Sequence, residues 1–473
     1  MADAVREPTG SPLPDPPSRT DGFVRTVSER LGGPVGRHAS PSGSAGPAPR
    51  VALVTAVVIY VVGAWFHLGC QNAFKWMCYS DIGLLYSSRG LLEGNTPYLD
   101  SGSYPVLEYP VLTGWFLELE RLINVALGAP TGPGLGEAER AQATDSFFLI
   151  NVVLLGLLFL IAILAQVHTV EGRPWDAMML AASPCVAAAG LINWDMLPVA
   201  LTALGCMFWA RRQPAAAGLL LGLATAAKLY PVFLLGPLLL LCLRSRRMNE
   251  FGTMLGAFVI SWSLVNLPVL LKAPEAWRSF WTFNADRSGD LGSIWYVLSL
   301  AGHEVRNLNA LNAVLFLVAC LLIGALIVLA PRRPRFGSVA FLVVAAFLMT
   351  NKVYSPQYVL WLLPLLILAR PRWRDWWIFT AGELIYFGAI WWHLGGYLTP
   401  GAGAPDRVYW LAVIIRLLTQ GWVVAMVVRD VLHPATDVIR RAGVDDPSGG
   451  VFDGAEDAGW VRRLRPSQGT GRA

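Results

Sequence analysis

From Val51 to about Arg429 the chain is a succession of apolar runs broken by short polar clusters. A helix needs about 20 apolar residues to cross the hydrocarbon core of a bilayer. Most of the runs approach that length, and they recur along almost the whole chain. The sequence is 55% hydrophobic and only 15% charged, against roughly 25% charged in an ordinary soluble domain. A soluble fold of this size would have to leave large apolar patches in water. A cytosolic enzyme, a secreted disulfide scaffold and a disordered chain are therefore excluded. The expectation is an all-α polytopic membrane protein.

Twelve spans are read at about 51–69, 145–167, 175–192, 195–210, 214–229, 231–243, 251–270, 308–330, 336–350, 357–369, 376–396 and 408–428. Several are short for a crossing, and Pro184, Pro231, Pro237 and Pro364 predict broken helices lining a cavity. Residues 1–50 carry 9 Pro, 7 Gly and 6 Ser and read as a disordered tail. Residues 429–473 read as a second polar tail, leaving 51–428 as the membrane domain.

The segment 109–128 decides the topology. Glu118, Glu120 and Arg121 lie near its middle, and each would cost roughly 2.5–3.5 kcal/mol at the centre of a membrane helix. If the segment does not cross, the clusters Arg211–Arg212, Arg244–Arg246–Arg247, Arg332–Arg333–Arg335 and Arg370–Arg372–Arg374 share one side with both tails. The positive-inside rule makes that side cytoplasmic. The segment then reads as an amphipathic helix lying on the outer leaflet, inside a first outer loop at 70–144. A second outer loop covers 271–307.

In this topology all four lysines, Lys75, Lys228, Lys272 and Lys352, lie outside, whereas the inner clusters use Arg. A compact ammonium suits phosphate, although snorkelling to lipid headgroups is the simpler role. Asp81 follows the first span by about a dozen residues, and Arg89 lies two helical turns further on, on the same face. Asp195, in Asn193-Trp194-Asp195, sits at the outer end of a tightly joined span pair. A helix cap is the plain alternative for either aspartate. Arg287 in the second outer loop is a further anion contact, or a solvated loop residue. Glu383 and Arg416 lie deep in two late spans at depths differing by about five residues, roughly 7–8 Å, and read as a buried structural pair. Cys70 and Cys78 are both placed outside, where a disulfide is permitted.

Carboxylates and cations around an outer cavity suit transfer of a group from a lipid phosphate to a hydroxyl. A carboxylate takes the hydroxyl proton as attack develops, and a cation stabilises the departing phosphate. The chain resembles glycosyltransferase family 87 of the GT-C superfamily, an actinobacteria-rich family that includes polyprenol-phosphate-mannose-dependent alpha-mannosyltransferases. The matching landmarks are the Asp81 loop, the surface helix at 109–128, Asn193-Trp194-Asp195, the G-L-A-T-A-A-K-L-Y-P run ending at Pro231, and K-V-Y-S-P-Q-Y at 352–358.

The resemblance implies a GT-C fold and an extracytoplasmic active site. It also implies a polyprenyl-phosphate sugar donor, a glycan or glycolipid acceptor, and inversion at the anomeric carbon. By likeness Asp81 is the general base, Asp195 contacts donor or acceptor, and Lys228 and Lys352 hold phosphate. Arg89, Arg287, Tyr354 and Gln357 complete the expected substrate-binding set. No cofactor is expected, because a lipid monophosphate donor brings no pyrophosphate for a metal to hold. The sequence has no Walker A run, no H-E-x-x-H and no Asp-x-Asp, and its scattered arginines indicate no nucleic-acid partner. A multispan transporter or lipid flippase is the alternative, and internal repeats would favour it; none is apparent.

Overall fold

The computed structural model describes residues 47–464, apart from 69, 71–72, 101, 171, 399–406 and 441–442. Among these residues the chain is helical throughout, with no strand. Its helices are α1 (Ala48–Leu68), α2 (Asp81–Ser88), α3 (Val111–Ala126), α4 (Glu137–Thr169), α5 (Met196–Ala210), α6 (Pro214–Ala227), α7 (Leu235–Ser245) and α8 (Met248–Lys272). They continue with α9 (Pro274–Asp286), α10 (Ile294–Leu300), α11 (Leu308–Leu329), α12 (Phe336–Thr350), α13 (Val359–Ala369), α14 (Trp373–Leu394) and α15 (Arg407–Leu432). The all-α expectation is borne out.

Among the described residues five helices, α1, α4, α8, α11 and α15, are long and apolar enough to cross a membrane. Five of the expected spans are apolar helices of 10–17 residues. The span expected at 175–192 is not a single helix. It is a 3-10 turn (Pro174–Ala177) and two helical turns, Met178–Ala181 and Pro184–Ala189. Pro184 has no N–H to continue the preceding turn and instead opens the next one. Close packing compensates for short helices elsewhere. Gly218 and Gly222 of α6 face the backbone of α8 at Met254 and Phe258, leaving no room for a Cβ.

The helix α3 does not run from one end of the bundle to the other. Near its start Thr113 Oγ1 donates to Ala227 O, beside Lys228 (2.7 Å). At its middle Glu120 Oε2 accepts from Trp194 Nε1 (2.9 Å). Near its end Asn124 Nδ2 donates to Ala143 O in the first turns of α4 (2.9 Å). All three partners belong to one end of the bundle, so α3 lies across that end. Its charges are not all turned outward, however. Glu120 is fully buried beneath Trp194, while Glu118 and Arg121 pair with each other at 2.6 Å.

The opposite end carries the arginine clusters, and there the expected C-terminal tail needs correction. α15 continues to Leu432, and the described residues after it pack onto the clusters. Asp437 accepts from Arg335, and Asp457 accepts from both Nε and Nη2 of Arg244. Asp445 meets Arg332 and Arg333. Phe452 is buried against Trp209. Its polarity and glycines marked this segment as a tail, but three of its aspartates pair with four of the arginines. Residues 1–46 of the expected N-terminal tail lie outside the described residues.

Candidate functional site

Two short segments are stitched together at the α3 end. Ser80 caps α2, its Oγ accepting from Ile82 N at 3.2 Å, and the same hydroxyl donates to Leu191 O at 2.7 Å. Asp81 N donates to Ile192 O at 2.7 Å. These bonds place Asp81 against the turn that carries Asn193-Trp194-Asp195. Eight residues before its partner, Cys70 is disulfide-bonded to Cys78, with Cα atoms 6.0 Å apart. The bond therefore ties the chain just upstream of Asp81.

Burial raises the Asp81 carboxyl above its ordinary value. A hydrogen bond from Tyr79 and the charge of Lys228 pull it back, while Asp195 and Glu108 raise it further. Among the described residues Asp81 makes no ion pair. Asp195 differs. It is 1% exposed, and its Oδ2 lies 3.3 Å from Lys228 Nζ. Its Oδ1 accepts from Trp361 Nε1 at 2.6 Å, and Asn193 Oδ1 accepts from its backbone N–H at 3.2 Å.

Lys228 occupies an aromatic setting. Its Nζ stands 4.7 Å from the Tyr109 ring centroid and 5.8 Å from that of Trp361. Tyr358 stacks on Trp361 at 4.0 Å and Tyr230 does so at 4.7 Å. Lys228 caps the C-terminus of α6, where Pro231 prevents the helix from continuing. A groove lined by Tyr98, Tyr109, Trp262, Trp277, Phe280 and Trp281 opens next to Leu229.

The remaining expected contacts divide. Arg89 does not point a free guanidinium at the site; its Nε and Nη2 grip both oxygens of Glu108 at 2.9 and 2.8 Å. Arg287 pairs with Asp290 at 2.6 Å and stays about one-third exposed. Lys352 does not serve as the expected phosphate contact. Its ammonium is enclosed by Asn284 O, Ala285 O, Arg287 O and Asn309 Oδ1 at 2.5–3.2 Å. Three ammonium protons are thus already spent on the end of α9, and burial followed by the Arg287 charge lowers the Lys352 pKa.

Tyr354 is fully buried, and its hydroxyl donates to Glu383 Oε2 at 2.9 Å. It belongs to a core network and not to a substrate surface. Gln357 is buried, and its Oε1 has no hydrogen-bond partner among the described residues. Glu383 and Arg416 do not meet directly. The Arg416 guanidinium lies 3.6 Å from the Tyr354 ring centroid, so Tyr354 stands between the two charges.

Sequence reasoning passed over Tyr79, Glu108 and Trp361. Trp361 resembles any lipid-facing tryptophan until α13 turns it onto Asp195. Glu108 carried a signal, an acid directly before the Tyr109-Pro110 start of α3. Among the described residues no group of three or more His, Cys, Asp and Glu is placed to hold a metal ion.

Residues 139–351 match the model of glycosyltransferase family 87. That stretch, a little under half of the chain, is what is similar to the glycosyltransferase family. The family 87 match spans Asp195, Lys228 and Arg287 and stops one residue short of Lys352. Asp81 and Arg89 precede it. ArnT from Cupriavidus metallidurans, solved bound to undecaprenyl phosphate, is a similar structure, with 15% identity and a TM-score of 0.41 over 82% of this chain and 78% of that one. No curated protein matches the chain.

Proposed function

We propose that the chain is a GT-C-type enzyme that moves a hexosyl group, mannosyl on family grounds, from a polyprenyl phosphate to a hydroxyl of a cell-envelope glycan or glycolipid. The α3 end faces the outside and both termini face the cytoplasm. The observation that carries this reading is that Asp81, tied by its N–H to Ile192 O, shares one end of the bundle with the Lys228–Asp195 ion pair.

The acceptor hydroxyl gives its proton to the Asp81 carboxylate as its oxygen bonds to the anomeric carbon. The bond from that carbon to the phosphate oxygen breaks on the opposite face, inverting the centre. The electron pair leaves with the polyprenyl phosphate, whose second negative charge is stabilised by Lys228. Asp195 holds Lys228 in place and contacts the donor through it, and Arg287 lines the exposed approach. Lys228 supplies the charge a metal would otherwise bring, so the reading predicts transfer unaffected by EDTA.

The test is mannose transfer from polyprenyl-phosphate-mannose in membranes containing the wild type or Asp81→Asn. General-base loss costs about 10²–10⁴-fold, so Asp81→Asn should be at least about a hundredfold slower. Near-normal turnover would reject Asp81 as the base. Absence of transfer by the wild type would reject the donor.

A further inference from the structure

A second cavity lies apart from the site just described, between the C-terminal end of α3 and the first half of α4. Its volume is about 430 Å³, within the range of small-molecule pockets, about 300–1,000 Å³. Ile123, Leu127, Leu149, Ile150, Val153 and Leu154 form its apolar walls, and Asn124, Gln142 and Ser146 give it a polar end. The apolar wall is open to the surroundings of the bundle, since Leu127, Leu149 and Val153 are 75%, 50% and 60% exposed. No charged residue lines it, so nothing there favours an ionised phosphate headgroup.

Asn124 shows what the cavity lacks. The side chain is fully buried. Its Nδ2 donates to Ala143 O at 2.9 Å and to Tyr86 Oη at 3.4 Å, which fixes the amide orientation. Its Oδ1 then has no partner among the described residues. A buried acceptor without a donor is unfavourable, and every hydrogen bond it can make requires an incoming N–H or O–H.

We propose that this cavity binds a neutral membrane lipid whose headgroup carries a free hydroxyl. The hydroxyl donates to Asn124 Oδ1, and one hydrocarbon chain lies along Leu149, Val153 and Leu154. The order of polar and apolar walls along α4 matches the order of headgroup and tail in a lipid. Asn124 also touches Tyr86, which stacks on Phe147 at 4.1 Å, and Tyr86 lies on α2 with Asp81. The bound lipid therefore steadies the helix that begins at Asp81.

The experiment is native mass spectrometry of the full chain, delipidated in detergent and titrated with dioleoylglycerol or its 3-O-methyl ether. Loss of one buried hydrogen bond corresponds to about tenfold in affinity. Dioleoylglycerol should bind at one site at least about tenfold tighter than the ether. Leu149→Trp and Val153→Trp, which fill the cavity from its exposed side, should abolish that binding while the protein remains folded by circular dichroism. Equal affinity for the two lipids would overturn the hydroxyl assignment, and undiminished binding by both tryptophan variants would overturn the site. The readout does not depend on sugar transfer, so its failure is distinguishable from failure of the glycosyltransferase mechanism.

Discussion

Lys228 Nζ lies 3.3 Å from Asp195 Oδ2, while Trp361 Nε1 holds the other carboxylate oxygen at 2.6 Å. Asp195 is thereby committed on both oxygens, and the ammonium keeps donors for a further anion. Removing Lys228 alone leaves a buried carboxylate uncompensated, which typically costs about 3–5 kcal/mol. We therefore expect Lys228→Met to lower the yield, and Lys228→Met with Asp195→Asn to restore folding without restoring donor affinity. One charge-assisted contact is worth about 1.5–3 kcal/mol, so KM for the donor should rise at least about tenfold in the double variant. Steady-state kinetics over a donor titration would show it, and an unchanged KM would remove Lys228 from the donor site.

The raised pKa of Asp81 gives two signs to check. Transfer needs the carboxylate, so the acid limb of kcat/KM should fall above the ordinary aspartate value of about 3.9. For stability, a pKa raised on folding means that protonation favours the folded state. That contribution is present at low pH and is lost as pH rises through the folded pKa. At neutral pH the ionised Asp81 is thus a cost to the fold, and Asp81→Asn should melt no lower than the wild type. A melting temperature clearly below wild type at pH 7 would mean that Asp81 is structural.

The helices and their ends were legible because apolar runs and arginine clusters act through composition alone. The lysines could be placed at one end but not given their roles. Lys228 and Lys352 follow similar spans and precede similar prolines, yet one faces Asp195 and the other closes the end of α9. That difference arises from long-range contacts between Lys352 and residues 284–309, which no local pattern records. The C-terminal aspartates were equally opaque, because a polar segment has the same composition whether it is solvated or paired.

Tyr354 couples Glu383 to Arg416 through its hydroxyl and its ring. Tyr354→Phe keeps the ring under the guanidinium but deprives Glu383 of a donor, leaving Gln420 Nε2 at 2.7 Å. We expect a loss of about 1–3 kcal/mol. Glu383→Gln should cost less in the Tyr354→Phe background than in the wild type. Thermal unfolding in detergent measures this, and strictly additive losses would show that Tyr354 does not connect the two.

Ala138 lies in the first turn of α4, at the end of the bundle where α3 makes its contacts. In the proposed orientation Ala138→Cys, like Cys introduced at Asp100 and Asp290, should react with an impermeant maleimide added to intact cells. Protection of position 138 with reaction at 100 would mean that α3 crosses the membrane and that the orientation is wrong.

Asp437 anchors the C-terminal segment. Burial alone would raise its pKa, but the two bonds from Arg335, at 2.7 and 3.2 Å, override this and hold the carboxyl below the ordinary range. A pKa lowered on folding contributes stability above the unfolded value, about 3.9, and loses it as pH falls through the folded value. The contribution should therefore be complete at neutral pH and decay only below about pH 4. Asp437→Asn leaves Arg335 buried without its counter-charge, at a cost of about 3–5 kcal/mol. We expect this variant to melt well below the wild type at pH 7 and the gap to narrow below pH 4. Limited proteolysis should then cut first within residues 433–464, where the described segment depends on these pairs. A gap that is constant with pH would show that packing around Phe452, and not the Arg335–Asp437 pair, holds the segment down.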